Sequence, residues 1–266
     1  MREKPFPDDI ELLLATAARV GVVLDFCLLA LDAPEIEAAL EHSNNDADKT
    51  YRPPETDNRY LLSRKAAIEA MGVFSGRLRK PEPGREGFVL SVEETPRGEP
   101  ISIHTLLGPE WCPSLRRVAL RGKLSHAATD ADQADASHYH DAWYHGRGYG
   151  VAEGPRGLTG AFFDPPYGLR TGEVKARTLK PGGDPDHGPW AKVTHSYPEF
   201  SALEQLFADL IDKLFYDLLT PVRCYRWSDD WSTYFDGGRE WWGTGYWTSL
   251  ILESEEILVI GASASD

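Results

Sequence analysis

Cysteine is scarce in this chain. Its three residues, Cys27, Cys112 and Cys224, lie far apart, form no CxxC pair and are odd in number, which argues against a disulfide framework or a cysteine-based zinc site. A reducing cytoplasm is the expected compartment. Positive charge is in deficit: 28 Lys and Arg face 42 Asp and Glu, a formal net charge of −14. Binding to phosphate backbones depends on Lys and Arg releasing counterions, so no nucleic-acid partner is expected, and a basic protein fits the charge better. A long unbroken apolar run is also missing. Ile10 to Leu31 is interrupted by Glu11, Arg19 and Asp25, and no basic segment with a small-residue cleavage site precedes it. Neither a membrane span nor a targeting segment is therefore expected. No internal repeat is evident.

What the chain does hold is ordinary globular composition, 41% hydrophobic and 26% charged over 266 residues, enough for a full core. Pro7-Asp8-Asp9 starts a helix with acids in its first turn, where the macrodipole favours them. Val22 to Leu31 is a short apolar run that reads equally as buried helix or buried strand. Helices follow from Pro34 to about Glu41 and from about Tyr60 to Met71, with a polar loop over 43–59 between them. From Gly87 the pattern turns to strands. Phe88–Val92 and Ile101–Leu107 are expected to form a hairpin around Thr95–Gly98, with His104 on a sheet face; Val118–Leu124, Gly160–Phe163, Val174–Leu179 and Ala191–His195 are further strand candidates. Pro198 to Leu219 repeats apolar residues at three- and four-residue intervals and predicts one long amphipathic helix. Tyr246–Leu252 and Ile257–Ala262 predict a closing hairpin around Glu253–Glu256.

The fold class is α+β: a helical N-terminal third, then a mainly antiparallel β remainder packed on the long helix (about 198–219) and the C-terminal hairpin. Two regions are expected, 1–84 helical and 85–266 α+β with a His-rich loop at 125–158, or one integrated domain.

The most metal-like segment runs from Ser137 to His145. His138, His140, Asp141 and His145 carry imidazole and carboxylate, donors suited to zinc or iron. A helix puts Asp141 and His145 on one face, and a strand does so for His138 and His140; no single regular conformation gathers all four. The order departs from the HxHxDH run of metallo-β-lactamase-like hydrolases. The expectation is no cofactor, with a zinc or iron site as the alternative. Asp164-Pro165-Pro166-Tyr167 resembles the DPPY motif of amino-group DNA methyltransferases, preceded by an expected strand. That resemblance implies S-adenosylmethionine as cofactor, hydrogen bonds from a target amino group to Asp164 and the Pro165 carbonyl, and a base stacked on Tyr167. The glycine-rich cofactor turn of that family is missing, and a rigid Pro-Pro turn is the simpler reading.

Five of the eight tryptophans fall between Trp227 and Trp247, interleaved with acids and glycines. Trp231, Tyr234, Asp236, Arg239 and Glu240 are the candidate binding residues, as a partner-binding rim or a sugar platform with paired carboxylates. The alternative is packing, with Trp241, Trp242 and Trp247 filling the junction between the long helix and the hairpin and their indole N–H groups paired to the acids. Tyr234-Phe235-Asp236-x-Gly238-x-Glu240-Trp241-Trp242-Gly243, then Trp247-Thr248 and the ending Ile260-Gly261-Ala262-Ser263-Ala264-Ser265-Asp266, resembles the tail of a group of uncharacterised bacterial proteins over about the last 40 residues; the resemblance implies no activity. With no complete catalytic constellation, the sequence points to an acidic binding protein of the immunity or inhibitor kind. A hydrolase, metal-dependent through the histidines or carboxylate-based at the Trp-rich segment, is the enzymatic alternative.

Overall fold

The structure is a computed structural model, and it describes residues 1–41, 57–77, 95–108, 157–163, 165, 168–179, 190–215 and 222–263. Its elements in chain order are β1 (Arg2–Lys4), α1 (Asp8–Arg19), β2 (Leu24–Ala30), α2 (Ala33–Glu41), α3 (Asn58–Arg77), β3 (Gly98–Ile101) and α4 (Ile103–Leu107). There follow α5 (Leu158–Phe163), β4 (Glu173–Leu179), β5 (Trp190–Ser196), α6 (Phe200–Leu214), β6 (Val222–Trp227), a 3-10 turn (Thr233–Phe235), α7 (Asp236–Trp241), β7 (Thr244–Ile251), a second 3-10 turn (Leu252–Ser254) and β8 (Glu256–Ser263). Among the described residues six strands form one antiparallel sheet in the order β1-β2-β8-β7-β6-β3, and β4 and β5 form a separate pair. The fold is α+β.

Helices cover both faces of the sheet. On one, Phe26, Leu28, Trp247, Leu258 and Ile260 pack with residues of α1, α4, α5 and α6. On the other, Cys27, Leu29, Tyr225, Tyr246 and Val259 meet α3, Ala39 of α2 and the first 3-10 turn. The ambiguity of Val22–Leu31 is thereby explained: residues 24–30 are a strand whose alternate side chains enter two different cores, which erases the period-two signal. The chain before residue 84 and the chain after it share this sheet, because β2 lies beside β8 over seven residue pairs.

Local chemistry sets the ends of the helices. Asp32 and Glu35 form a reciprocal cap at α2, Glu35 N–H donating to Asp32 Oδ1 (3.2 Å) and Asp32 N–H to Glu35 Oε2 (3.0 Å). Helix α3 runs from Asn58 to Arg77, longer than its sequence pattern suggests, and it lies close on the sheet through Ala66, Ala67 and Ala70. In α6, Leu203, Leu206, Phe207, Leu210, Ile211 and Leu214 are buried, the broad stripe the periodicity predicts; the described helix starts at Phe200 and ends at Leu214. The C-terminal hairpin forms as expected. Its turn passes through Glu255, which adopts a left-handed conformation at φ 56°.

Two segments expected as strands are helices. Ile103–Leu107 is α4, capped by Ser102 Oγ, which accepts the Thr105 N–H at 3.0 Å, so His104 sits exposed on a helix instead of on a sheet face. The strand that precedes it, β3, pairs with β6, and residues 88–92 and 118–124 lie outside the described residues. Leu158–Phe163 is α5, pinned by Thr159 Oγ1 donating to the Leu107 carbonyl (2.6 Å) and by Phe162 against Phe207 (4.7 Å between ring centroids). Short apolar runs fit both periods, and the tertiary contacts decided these.

Among the described residues, both edges of the sheet carry guards against further strands. In an antiparallel ladder alternate residues aim their N–H groups the same way. Pro100 of β3 has no N–H, and Gly98, which shares its direction, donates to the Tyr60 hydroxyl at 3.2 Å. At the other edge β1 is Arg2-Glu3-Lys4, exposed throughout, with ion pairs from Glu3 to Arg77 and from Lys4 to Glu256. Charge, proline and a capped donor are the usual defences of an edge.

Candidate functional site at the Trp-rich rim

The described rings of the Trp-rich segment turn inward. Trp231 is 1% exposed and Tyr234 2%; with Phe235 and Tyr246 they form an edge-to-face cluster, Trp231 lying 5.5 Å and Phe235 5.6 Å from Tyr246 between ring centroids. Trp242 and Trp247 are buried on the opposite face with the residues of α6, as the packing alternative has it for these two, while the side chain of Trp241 lies outside the description. Trp227 Nε1 donates to Thr248 Oγ1 (3.0 Å) and Trp231 Nε1 to the Ser228 carbonyl (2.6 Å). Of the other candidate binding residues, Asp236 is exposed, Arg239 is exposed and donates to the Asp229 carbonyl (3.4 Å), and the side chain of Glu240 lies outside the description. The five are not gathered on one surface, because two rings point into the core while two charged groups point out.

Glycines make room for these rings. A Cβ at Gly98 would meet the Trp227 ring at 2.5 Å, and one at Gly261 would meet the Tyr234 hydroxyl oxygen at 2.6 Å. The Tyr234 hydroxyl passes over Gly261 to donate to Asp25 Oδ2 (2.8 Å), and Asp25 is itself opposite Gly261 in the β2–β8 ladder. Asp25 keeps an exposed surface while protein crowds its carboxyl. That crowding raises its pKa above the ordinary carboxylate value, against the opposing pull of the Tyr234 hydrogen bond and of Arg77. A carboxyl with a raised folded-state pKa holds its proton more tightly folded than unfolded. Its contribution is therefore most favourable below the ordinary carboxylate pKa and is lost as pH rises through the folded-state value. Asp25→Asn keeps an acceptor for Tyr234 and removes the charge. It is expected to unfold at an equal or higher temperature than wild type at neutral pH, with the gap closing in acid; a variant less stable at neutral pH than in acid, relative to wild type, contradicts this.

Beside the ring cluster, where β3 and β6 end, a cleft of about 360 Å³ is lined by Arg97, Gly98, Glu99, Arg226, Trp227, Ser228, Asp229 and Thr244. Register builds it. Arg97 and Ser228 continue the β3–β6 ladder, Ser228 N–H donating to the Arg97 carbonyl (2.8 Å) and Arg97 N–H to Ser228 Oγ (3.2 Å). The Arg97 guanidinium pairs with Asp230, and Thr244 Oγ1 donates to Asp229 Oδ2. The Ser228 hydrogen bond, opposed by partial burial and helped by Arg97, holds the Asp230 carboxyl below its usual range. Glu99 and Arg226 are partners across the ladder and both are exposed. Sequence reasoning missed Arg97, Glu99, Arg226 and Thr244, which come from three strand ends joined only by long-range register.

The other sequence candidates fall elsewhere. His138, His140, Asp141 and His145 lie outside the described residues, and no group of three or more His, Cys, Asp or Glu with metal-holding geometry occurs among the described ones. Asp164 and Tyr167 are also outside; the Pro165 carbonyl accepts the Gly168 N–H at 2.9 Å. The strand expected before that motif is helix α5, so the strand-then-motif context of the methyltransferase resemblance is absent. Cys27 and Cys224 are buried free thiols, pushed up by burial to about 12 and about 11, which keeps them protonated and inert as nucleophiles. No helix among the described residues is long and apolar enough to cross a membrane. No protein-family model, curated protein or solved structure matches the chain.

Proposed function

We propose that this chain is a binding protein of the immunity or inhibitor kind that acts on a basic protein partner. The observation that carries the reading is the outward face of α1. Leu12 is 68% exposed, the highest value among the described large hydrophobic residues, and it stands beside Asp8 and Glu11, which are exposed and form no ion pair among the described residues. An apolar anchor flanked by unpaired acids suits a partner presenting an apolar contact within a cationic surface. The net charge of −14 would speed that encounter and make it salt-sensitive.

Leu12 contributes little to the fold at such exposure, so Leu12→Ala is expected to change unfolding stability by no more than about 0.5 kcal/mol. The binding test uses the immobilised chain and lysate of its source cells. A basic protein should be retained, released by salt, and held about tenfold or more weakly by Leu12→Asp and by the Asp8→Lys, Glu11→Lys double variant, the scale of a hot-spot loss. Retention of no basic protein, or equal retention by both variants, contradicts the proposal.

A further inference from the structure

We infer that the segment the partner presents to this protein is an amphipathic helix with lysine or arginine beside its apolar stripe, seated in the shallow groove between α1 and α6. Such a partner helix presupposes the binding role of the α1 face proposed above. The two helices lie side by side on one face of the sheet, and hydrogen bonds at both ends show that they run antiparallel. Lys213, near the end of α6, pairs with Asp9 at the start of α1. At the other end the Val20 carbonyl, just past α1, accepts the Arg170 N–H (2.7 Å). Two residues on, Gly172 donates to the Pro198 carbonyl (3.2 Å) and accepts from the Tyr197 N–H (2.8 Å), immediately before α6.

Helical spacing carries the groove onward from the Asp9–Lys213 contact. Residues three and four apart share a helix side, so Leu12 and Thr16 continue the α6 side of α1, while Asp209 and Ala202 continue the α1 side of α6. Because the helices are antiparallel, both series advance in the same direction. Leu12 and Ala202 are exposed, Thr16 and Asp209 half-buried, and the half-buried Leu13 and buried Leu206 form the floor. Small groups at Ala202 and Thr16 keep the walls low and leave Leu12 as the large apolar side chain above the floor. A helix fits a straight groove between two helices as a third member, ridges into grooves. An added strand does not, because helix backbones spend their donors and acceptors internally. The charge of the rim selects a basic helix. Asp8 and Glu11 form no ion pair among the described residues, and Asp209 is met there by the Gln205 amide (2.6 Å) and by no cation. Lys213 is neutralised by Asp9, which leaves Arg19 as the exposed cation, at the far end of α1.

The test titrates the purified full chain into a labelled synthetic peptide of leucine and lysine in helical order, about 14 residues and so about 21 Å long, read by fluorescence anisotropy at about 0.15 M salt. Two control peptides are leucine and glutamate in the same order, and leucine and lysine in strict alternation, the period of a strand. The helical leucine–lysine peptide should bind at least about tenfold more tightly than either control. Leu12→Asp and Asp209→Lys should each weaken it about tenfold or more. Ala202→Gln puts a longer uncharged side chain in the groove and should weaken it about threefold or more. Glu37→Lys makes the same charge change as Asp209→Lys, but on exposed surface of α2 across the sheet, and should shift affinity by less than about twofold. Leu12 and Ala202 are exposed, so their variants should unfold near the wild-type temperature; if Asp209→Lys does not fold, those two decide. Equal binding of the alternating peptide, equal weakening by Glu37→Lys, or affinity unmoved by Ala202→Gln overturns the inference. Failure of the helical peptide to bind, while a basic lysate protein is still retained and is lost with Leu12→Asp, overturns the helix in the groove and leaves the binding role of α1 standing.

Discussion

Trp231→Ala is expected to destabilise the protein by about 3–5 kcal/mol, the cost of deleting a large buried aromatic side chain. The ring is 1% exposed, sits edge-on to Phe235 (5.6 Å) and Tyr246 (5.5 Å), and its indole N–H bonds the Ser228 carbonyl. Deleting it leaves a cavity and an unpaired carbonyl in a cluster that also supports Tyr234 and Phe74. Trp231→Phe should cost less, since it keeps a ring but not the donor. Asp236→Ala, on the same segment but exposed, should stay within about 0.5 kcal/mol of wild type. Urea unfolding of the three variants reads these differences directly. A Trp231→Ala protein as stable as Asp236→Ala would mean that the segment is a surface platform and not part of the core.

The second large effect concerns assembly. Pro100→Thr restores an outward N–H on β3, and Tyr60→Phe releases the one on Gly98 while keeping the ring against Tyr225 and Trp227. Together they turn a blocked edge into two free donors on alternate residues, the pattern that templates strand addition. The double variant is expected to form species larger than wild type in sedimentation velocity, increasing with concentration, while each single variant stays closer to wild type. Unchanged sedimentation of the double variant would show that something other than these two residues guards the edge.

Where one strong period governed a segment, the sequence was legible: α6 from its three- and four-residue repeat, and the β7–β8 hairpin from two apolar runs around an acidic turn. Ambiguity came where a strand is buried on both faces, as in β2, because alternation vanishes when both sides are apolar. Errors came where a run is too short to have a period. Ile103–Leu107 and Leu158–Phe163 became helices through a serine cap and through aromatic contacts with α6. At the Trp-rich rim, composition could show that the rings cluster but not which way they face. One usable signal was present in glycine: Gly98 and Gly261 are positions where a ring or its hydroxyl lies too close for a side chain. Pairing those glycines with their aromatics needed the strand register, which no local pattern carries. For the same reason the cleft was invisible, since Glu99 and Arg226 are neighbours only through the β3–β6 ladder.

The inward packing of the Trp-rich segment is the claim on which the rest depends, because it separates the rings from the charged rim. Native-state amide hydrogen exchange tests it most directly. β7 and β8 lie inside the sheet, and the Phe235 N–H bonds the Ser232 carbonyl within the ring cluster. The predicted result is that Tyr234 and Phe235 exchange only through the same global opening that exposes Tyr246–Leu250 and Ile257–Ala262. Fast exchange at Tyr234 and Phe235 under conditions where the hairpin stays protected would contradict it.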